Sequence, residues 1–429
     1  MPSLPLLKYI SINSSRWTPV ITWVLRIAVG IIFIFSGFVK AIDTWGTLYK
    51  ITDYADAWGF DIWPNLLKVG AFFLCAIEFL LGVFLVTGCF RRGSAILSFL
   101  FMCVMLPLTL WIALFNPVSD CGCFGDAVIL SNWATFWKNV PLFLATLWLA
   151  RFNIKIRCLI TPALQWIAFI ATATFIFAVE LAGYDYQPLI DFRPYPIGSA
   201  IAGSENDTDL EYKFIYRKGD VVQEFDIDSL PDEEDGWEFI DRKLVGEEKE
   251  NSKHSDGFHV WDGNEDVSDI VLNPEGKRLI LLMPELGNVT IATTWKINSL
   301  HDWATAHNID MIAAVSGSPH DIENWEDLSM PDYPIYTADD TAIKELVRGN
   351  PAVVFTEDGI VKWKSSLKAI NVDDFMATDT SANPMSFATD NHKILLNASL
   401  VYLAAMALLI TFSLLPNLGK LIFRKKAVE

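Results

Sequence analysis

The chain has 429 residues, of which 52% are hydrophobic, and its formal net charge is −18. So high an apolar fraction excludes an ordinary soluble enzyme, and so large a negative charge excludes a simple membrane bundle. The two properties belong to different regions. Residues 183–392 hold 42 of the 51 acidic and 16 of the 33 basic residues, whereas the rest of the chain holds 9 acidic and 17 basic residues. The acidic region would repel phosphate, so nucleic acid is not an expected partner.

Six apolar segments approach or exceed the length needed to cross a hydrocarbon core of roughly 30 Å. They are predicted near 19–42, 66–88, 93–115, 133–150, 161–182 and 393–415. The fourth is short and is interrupted by Pro141, which a helix in a bundle tolerates. The first is too long for the apolar part of a signal peptide and lacks a small-x-small cleavage site, so we interpret it as a retained anchor.

The basic residues between these segments predict the orientation. With the N-terminus inside, one side of the membrane receives Lys8, Arg16, Arg91, Arg92, Arg151, Lys155, Arg157, Lys420, Arg424, Lys425 and Lys426. The positive-inside rule places that side in the cytoplasm. The prediction is a multi-pass protein of a bacterial inner (cytoplasmic) membrane, in contact with lipid, with both termini cytoplasmic and the acidic domain periplasmic.

Two charged residues are predicted inside the membrane. Glu78 lies midway along the second segment, and Arg26 lies in the first at a depth that differs by roughly 3 Å. A charge at this depth is costly and indicates a partner or a function. We therefore predict a charge pair between Arg26 and Glu78. The alternative is that Glu78 handles protons beside a quinone, which is a candidate cofactor.

The loop Ser119–Asp126 holds Cys121 and Cys123, the two cysteines predicted on the exported side among the six of the chain. Two thiols separated by one glycine can form a small, strained disulfide, so this is the candidate catalytic redox pair. One alternative is a metal site that includes Asp120 or Asp126, although further ligands are missing, and no metal is predicted. Another is a loop that only seals the bundle. The residues predicted to shape the loop are Gly122, Phe124, Gly125 and Asp126.

Residues 17–150 resemble the DoxX/MauE superfamily of four-helix membrane proteins. The residues that carry the resemblance are Arg26, Gly30, Ser36-Gly37-Phe38-Val39-Lys40, Tyr54, Trp63-Pro64, Glu78, Gly82, Gly88, Cys121-Gly122-Cys123-Phe124-Gly125 and Lys138-Asn139. MauE-like proteins are associated with maturation of a disulfide-rich periplasmic enzyme, methylamine dehydrogenase. DoxX-like proteins are associated with quinone-linked oxidation of sulfur compounds. The resemblance implies a membrane domain over 1–158 that is connected with thiol chemistry.

The acidic region is predicted to have two parts. Residues 184–256 read as an extended segment followed by a β-hairpin with a turn at Lys218-Gly219-Asp220. Over 257–380 strands and helices alternate, which indicates an α/β layer architecture. The strands are predicted at Lys277–Met283, Asp310–Val315, Pro351–Thr356 and Ile360–Trp363, and the helices at Thr293–His307 and Thr341–Arg348.

This order resembles the thioredoxin-like fold of TlpA and peroxiredoxin-type proteins. Asn350 and Pro351 occupy the place of the cis-proline loop of that family. Where the family carries C-x-x-C, this chain reads Met283-Pro284-Glu285-Leu286-Gly287-Asn288-Val289, so the domain has no thiolate for disulfide exchange. The whole arrangement resembles a set of Bacteroidota envelope proteins with an Asp-Phe-Arg-Pro-Tyr segment, here 191–195, and an Arg-x-Asn-Pro motif, here 348–351.

The predicted fold is an α-helical membrane bundle with a four-helix DoxX/MauE-like core and two further spans, at 159–183 and 393–415. It carries an exported α/β thioredoxin-like domain preceded by a small β-rich region, and a basic tail at 416–429. The first functional hypothesis is a membrane thiol or sulfur oxidoreductase that uses Cys121 and Cys123. The alternative is a non-catalytic subunit whose acidic domain binds a periplasmic or envelope protein. A transporter is a weaker reading, because no inverted repeat is present.

Overall fold

The computed structural model describes residues 17–60, 62–118, 121–202, 211–218, 221–226, 238–245, 257–263, 265–272, 275–371 and 391–426. They fall into two compact units. The first unit lies within Met1–Arg193, Ser365–Ile370 and Phe387–Glu429, and the second within Pro194–Lys364 and Asn371–Ser386.

The described helices, in chain order, are α1 (Thr18–Ile42), α2 (Thr44–Ala57), α3 (Pro64–Thr87), α4 (Arg91–Phe115), α5 (Asn132–Arg151), α6 (Gln165–Asp185), α7 (Ser268–Leu272), α8 (Thr294–Ala306), α9 (Pro319–Ser329), α10 (Asp340–Leu346) and α11 (Asn391–Lys426). The described strands are β1 (Glu211–Lys218), β2 (Val221–Asp226), β3 (Glu238–Val245), β4 (Trp261–Asp262), β5 (Glu265–Asp266), β6 (Lys277–Met283), β7 (Asp310–Val315), β8 (Ile335–Thr337), β9 (Ala352–Glu357) and β10 (Ile360–Ser366).

Five helical segments of the described chain are long and apolar enough to cross a membrane. They are Thr18–Ile42, Pro64–Thr87, Arg91–Phe115, Pro162–Asp185 and His392–Leu415. These coincide with five of the six predicted spans and support a multi-pass membrane protein. The predicted span at 133–150 is the helix α5, which is not one of the five because polar and charged side chains interrupt its apolar sequence. Its side chains Leu142, Ala145 and Leu149 nevertheless pack into the core formed with α1, α3 and α4.

Helices α1 and α3 pack closely because glycines lie where they cross. A Cβ atom on Gly37 would lie 2.5 Å from the backbone nitrogen of Phe79, and one on Gly82 would lie 2.6 Å from that of Ile34. Since the earlier residue of α1, Ile34, meets the later residue of α3, Gly82, while Gly37 meets Phe79, the two helices are antiparallel. Small residues at such crossings are the usual means of close helix packing in membranes.

Helix α2 occupies part of the segment 43–65 between the first two predicted spans, where no helix was predicted. The side chain of Asp43 caps it by accepting a hydrogen bond from the backbone nitrogen of Gly46 at 2.9 Å. The indole of Trp45 donates to the carbonyl of Tyr184 on α6 and stacks on its ring, with centroids 4.7 Å apart. The helix was missed because its mixed polar and aromatic residues lack a continuous apolar run.

In the second unit, strands β1 to β3 form a three-stranded antiparallel sheet in the order β2-β1-β3. The pairing of β1 with β2 confirms the predicted hairpin, although its turn at Gly219 and Asp220 lies outside the described residues.

The larger sheet of the second unit has seven strands in the order β10-β9-β6-β7-β8-β4-β5. β6, β7 and β8 are parallel neighbours, and β9 runs antiparallel to β6. The four predicted strands are present, and the two predicted helices are α8 and α10. The sequence missed α7, α9, β8 and the short pair β4 and β5. The structure therefore has a mixed, helix-covered sheet where an α/β domain was predicted.

Candidate functional site

The loop between α4 and α5 brings Cys121 and Cys123 together. Their Sγ atoms are 3.1 Å apart, and both thiols are free. Gly122 between them has a φ of +63°, which residues with a side chain rarely adopt. A Cβ atom there would also lie 3.0 Å from Cγ of Lys50. Glycine is therefore needed for the turn that places the two sulfur atoms side by side.

Side chains from two other helices hold the backbone of this turn. Ser36 on α1 donates a hydrogen bond of 2.6 Å to the carbonyl of Cys123. Tyr54 on α2 donates one of 2.6 Å to the carbonyl of Cys121. Such a bond contributes about 0.5–1.5 kcal/mol to stability. Because both carbonyls are held, α1 and α2 fix the position of the thiols within the bundle.

Helix α5 holds the beginning of the same loop. The side-chain nitrogen of Asn132 donates to Oδ1 of Asn116 at 2.6 Å and to the carbonyl of Val118 at 3.0 Å. Ser119 and Asp120 lie outside the described residues, so the alternative metal ligand Asp120 has no described position. Among the described residues, no group of three or more His, Cys, Asp or Glu side chains is arranged to hold a metal ion.

The residues predicted to shape the loop form its second half. Gly125 has a φ of +52°, and Asp126 lies within the short 3₁₀ turn Gly125–Ala127. The ring of Phe124 packs against Phe35 on α1 with centroids 5.5 Å apart. The ammonium of Lys138 on α5 lies 3.9 Å from the centroid of the same ring, which is a cation–π contact. Phe124 thus places the ammonium of Lys138 beside the loop.

The two thiols differ in acidity because they are hydrogen-bonded to each other. The Cys121 thiol bonds to the sulfur of Cys123 and lowers the pKa of Cys123 to about 6, and the positive charges of Lys138 and Lys40 act in the same direction against burial. The same hydrogen bond, followed by burial, raises the pKa of Cys121. At neutral pH the pair therefore holds a thiolate at Cys123 and a thiol at Cys121, and a thiolate is the reactive form.

Glu78 forms its ion pair with Lys40, not with Arg26 as the sequence predicted. Nζ of Lys40 is 2.6 Å from Oε2 of Glu78, and both side chains are buried. Arg26 instead donates to the carbonyls of Arg157 and Val86, at 2.5 and 3.1 Å. The predicted pair Arg26–Glu78 is therefore wrong, and Arg26 binds backbone carbonyls near the other end of α3.

The direction of helical side chains explains the correction. Each Cα–Cβ bond tilts toward the N-terminus of its helix. Lys40, near the end of α1, therefore reaches back into the bundle, and Glu78 on the antiparallel α3 tilts to meet it. Arg26 lies elsewhere along the crossing, because a Cβ atom on Gly30 would meet Val86 and one on Gly37 would meet Phe79, so Arg26 is level with the end of α3. Counting residues from the predicted ends of the spans missed this register.

A second buried carboxyl group lies on α6, where the sequence analysis named no site. Glu180 has no exposed surface, and neither of its Oε atoms has a hydrogen-bond partner within the described part of the chain. The hydroxyl of Thr44 donates to the backbone carbonyl of Glu180 at 3.1 Å, which places it beside the junction of α1 and α2. It interacts electrostatically with Cys75, whose thiol lies 3.8 Å from the hydroxyl of Thr47. A glutamate inside an apolar run was the signal for this residue.

Asn350 and Pro351 lie in the second unit, where the peptide bond between them is cis. The side-chain nitrogen of Asn350 donates to the carbonyl of Glu285 at 2.7 Å. Oε1 of Glu285 lies 3.4 Å from Nζ of Lys344. This loop thus lies against the segment that follows β6, which carries no cysteine.

Two family models match the chain, one within each of the two units. Residues 18–152 match the family model described as "Methylamine utilisation protein MauE". Residues 210–247 match a domain of unknown function, DUF8463, over the stretch that holds β1, β2 and β3. No curated protein and no solved structure matches the chain. The MauE match spans α1 to α5 and includes the two thiols, Lys40 and Glu78. Together with its apolar helices, this match supports a MauE-like multi-pass membrane protein.

Proposed function

We propose that the first unit is a membrane thiol–disulfide redox module, in which Cys121 and Cys123 alternate between a dithiol and a disulfide. The observation that carries the proposal is the 3.1 Å separation of two free thiols, held by hydrogen bonds to both flanking carbonyls. The lowered pKa of Cys123 supplies the thiolate that thiol–disulfide exchange requires. The site is proposed to face the periplasm of a bacterial inner membrane, with both chain termini cytoplasmic and α5 as a sixth crossing.

In the forward direction a dithiol of a partner protein attacks the Cys121–Cys123 disulfide. The partner forms a disulfide, and its two electrons and one of its two protons pass to the pair, which becomes the Cys121 thiol and the Cys123 thiolate; the second proton is released. The buried ion pair of Lys40 and Glu78 supports this step, because Lys40 interacts electrostatically with Cys123 and stabilises its thiolate. Glu78 in turn balances the charge of Lys40, so the ammonium can remain buried.

Reoxidation of the pair needs a two-electron acceptor, for which a quinone is proposed. A quinone, when bound, takes up two electrons and two protons. Phe124, Phe35 and Lys138 fit such a group, because aromatic rings can pack against a quinone ring and an ammonium can donate to its carbonyl. Phe35 is 44% exposed on a membrane helix, so these residues can be approached from the lipid.

The second unit is proposed to be a thioredoxin-like periplasmic domain that binds a partner protein rather than reacts with it. The strand order β9-β6-β7, with β9 antiparallel to β6 and β7 parallel to it, supports this relationship. The segment after β6 has no thiol, and the region 183–392 is strongly acidic. A partner with a basic surface is therefore the expected ligand. If this binding is the whole function, the protein is a non-catalytic envelope subunit.

Alkylation of thiols in intact membranes tests the redox proposal. A variant in which Cys75, Cys89, Cys103 and Cys158 are replaced by alanine leaves the pair as the remaining thiols, since the chain has six cysteines. The pair should react with a thiol reagent after reduction and should be protected after a mild oxidant. In the same background Cys121→Ser should leave Cys123 available to form a trapped mixed disulfide with a partner. If both thiols stay reduced under oxidant, the redox proposal fails and the docking role remains.

A further inference from the structure

A cavity of about 580 Å³ opens at the end of the first unit where α3 leads into α4. Its lining includes Phe90, Arg91, Arg92, Cys158 and Gln165. Arg92 and Cys158 are exposed, so the cavity is open to the surroundings. Its volume lies within the range of about 300–1,000 Å³ that is usual for small-molecule sites. The Cys-Gly-Cys loop follows the other end of α4, so the cavity is a separate site at the opposite end of this membrane helix.

Hydrogen bonds and close packing hold the walls of this cavity. The backbone nitrogen of Phe90 donates to Oε1 of Gln165 at 3.0 Å, and Nε2 of Gln165 donates to the carbonyl of Ile160 at 3.2 Å. Gln165 thereby joins the start of α4 to the start of α6. A Cβ atom on Gly88 would clash with the carbonyl oxygen of Arg157, so the connection between α3 and α4 packs directly on the connection between α5 and α6. The shape of the cavity is therefore fixed by the packing of these two connections.

Positive charge is concentrated around the cavity without a carboxylate to balance it. Arg91 and Arg92 line it, and the buried Arg26 donates to the carbonyl of Arg157, which precedes the lining residue Cys158. Nε of Arg26 has no hydrogen-bond partner within the described part of the chain. Helices α1, α4, α5 and α11 and the two connections at this end contain no Asp or Glu. A buried guanidinium without a counter-charge is costly, so an anion in the cavity would stabilise this end of the bundle.

We propose that this cavity binds the phosphate group of an anionic phospholipid, whose acyl chains lie along the apolar surfaces of α4 and α6. Both lining arginines belong to the first turn of α4, which begins a candidate membrane span, so they lie at the level of the lipid headgroups. Guanidinium groups bind phosphate through paired hydrogen bonds. Further along α4 the exposed residues are Ile96, Leu97 and Leu100, and the exposed Trp166 of α6 packs its ring against Phe90 in the cavity wall. A soluble phosphate gains nothing from these apolar surfaces, whereas a lipid buries its chains on them. This site is independent of the thiol pair.

Lipid retention by the full chain, measured by mass spectrometry of the intact protein in a neutral detergent, tests the proposal. The probes are phosphatidylglycerol, which is anionic, and phosphatidylcholine, which has no net charge. Phosphatidylglycerol should stay bound, and the double variant Arg91→Gln, Arg92→Gln should weaken its binding roughly thirtyfold, since each arginine beside an anionic lipid contributes a factor of about five. The double variant Arg151→Gln, Lys155→Gln removes the same charge from the end of α5 and the connection after it. Neither residue lines the cavity, so binding should be nearly unchanged.

Alkylation of Cys158, which lines the cavity, gives a second measurement that needs no variant. Its reaction with N-ethylmaleimide should slow when phosphatidylglycerol is added to the solubilised protein, and phosphatidylcholine or inorganic phosphate should leave the rate unchanged. Equal weakening by the two double variants, or equal retention of the two lipids, would show a general attraction to lipid and overturn the proposal. Protection of Cys158 by inorganic phosphate would overturn the assignment to a lipid. None of these outcomes bears on thiol cycling at the other end of α4.

Discussion

Removal of one partner of the buried Lys40–Glu78 pair should destabilise the membrane unit strongly. In Lys40→Met the carboxylate of Glu78 loses its counter-charge, and in Glu78→Leu the ammonium of Lys40 does. Both side chains are almost completely buried, with 4% and 7% of their side-chain surface exposed. Water can therefore do little to solvate the charge that remains.

The size of the effect follows from the geometry. At the 2.6 Å separation and an effective dielectric constant near 20, the gross attraction is about 6 kcal/mol. Much of it offsets the desolvation of the two ions. Loss of one partner should lower the free energy of unfolding by roughly 3–5 kcal/mol, and the double replacement by two apolar residues should recover most of that loss.

Unfolding in a mild detergent, followed by tryptophan fluorescence against increasing denaturant, measures these free energies. A charge exchange adds a matched control. Exchange of Lys40 and Glu78 should be tolerated better than either single reversal, whereas exchange of Arg26 and Glu78 should not, because Arg26 binds carbonyl groups. The reasoning is refuted if the double apolar variant is as unstable as the sum of the single variants.

Three further outcomes follow from the site and the bundle. The rate of alkylation of reduced Cys123 should be near its maximum at pH 7 and should fall about tenfold per pH unit below pH 6. The reason is that the lowered pKa of Cys123 keeps its thiolate down to that pH. A rate that still rises steeply above pH 8 would contradict this. Tyr54→Phe removes the bond to the Cys121 carbonyl and should lower thermal stability by about 1 kcal/mol; an unchanged melting curve would count against that bond. Gly37→Val should lower the stability measured in a melting experiment by at least about 1–3 kcal/mol, because a side chain there would overlap with α3. Gly70→Ala, with open space around it, should lower it little. Equal effects would argue against the close helix crossing.

The five long apolar helices of the first unit were predictable, because apolar runs of this length have few other structures. The partner of Glu78 was not, even though Lys40 stood in the quoted motif. Two candidate cations lay on α1, and the choice between them depends on the direction of side chains and on which faces of α1 and α3 meet. The number of residues between two positions gives neither the side-chain direction nor the helix faces in contact.

Prediction of the second unit from the sequence was also only partial. Strands β6, β7 and β9 were predictable from their continuous apolar residues, since buried strands read this way. Strand β8 has three residues and α9 carries a polar sequence, so neither gives a strong periodic signal. The convergence of Ser36 and Tyr54 on the carbonyls of the Cys-Gly-Cys turn depends on tertiary packing, and the sequence indicated both residues only through a family resemblance.

The redox equilibrium of the Cys121–Cys123 pair is the most direct test of the proposed function. The variant without the other four cysteines is equilibrated with glutathione mixtures in membranes, and the remaining thiols are alkylated and weighed by mass spectrometry. Two alkyl groups should disappear together in one two-electron transition, without a population that carries a single label. Independent loss of one label, or no loss at any glutathione ratio, would contradict a functional dithiol at this loop.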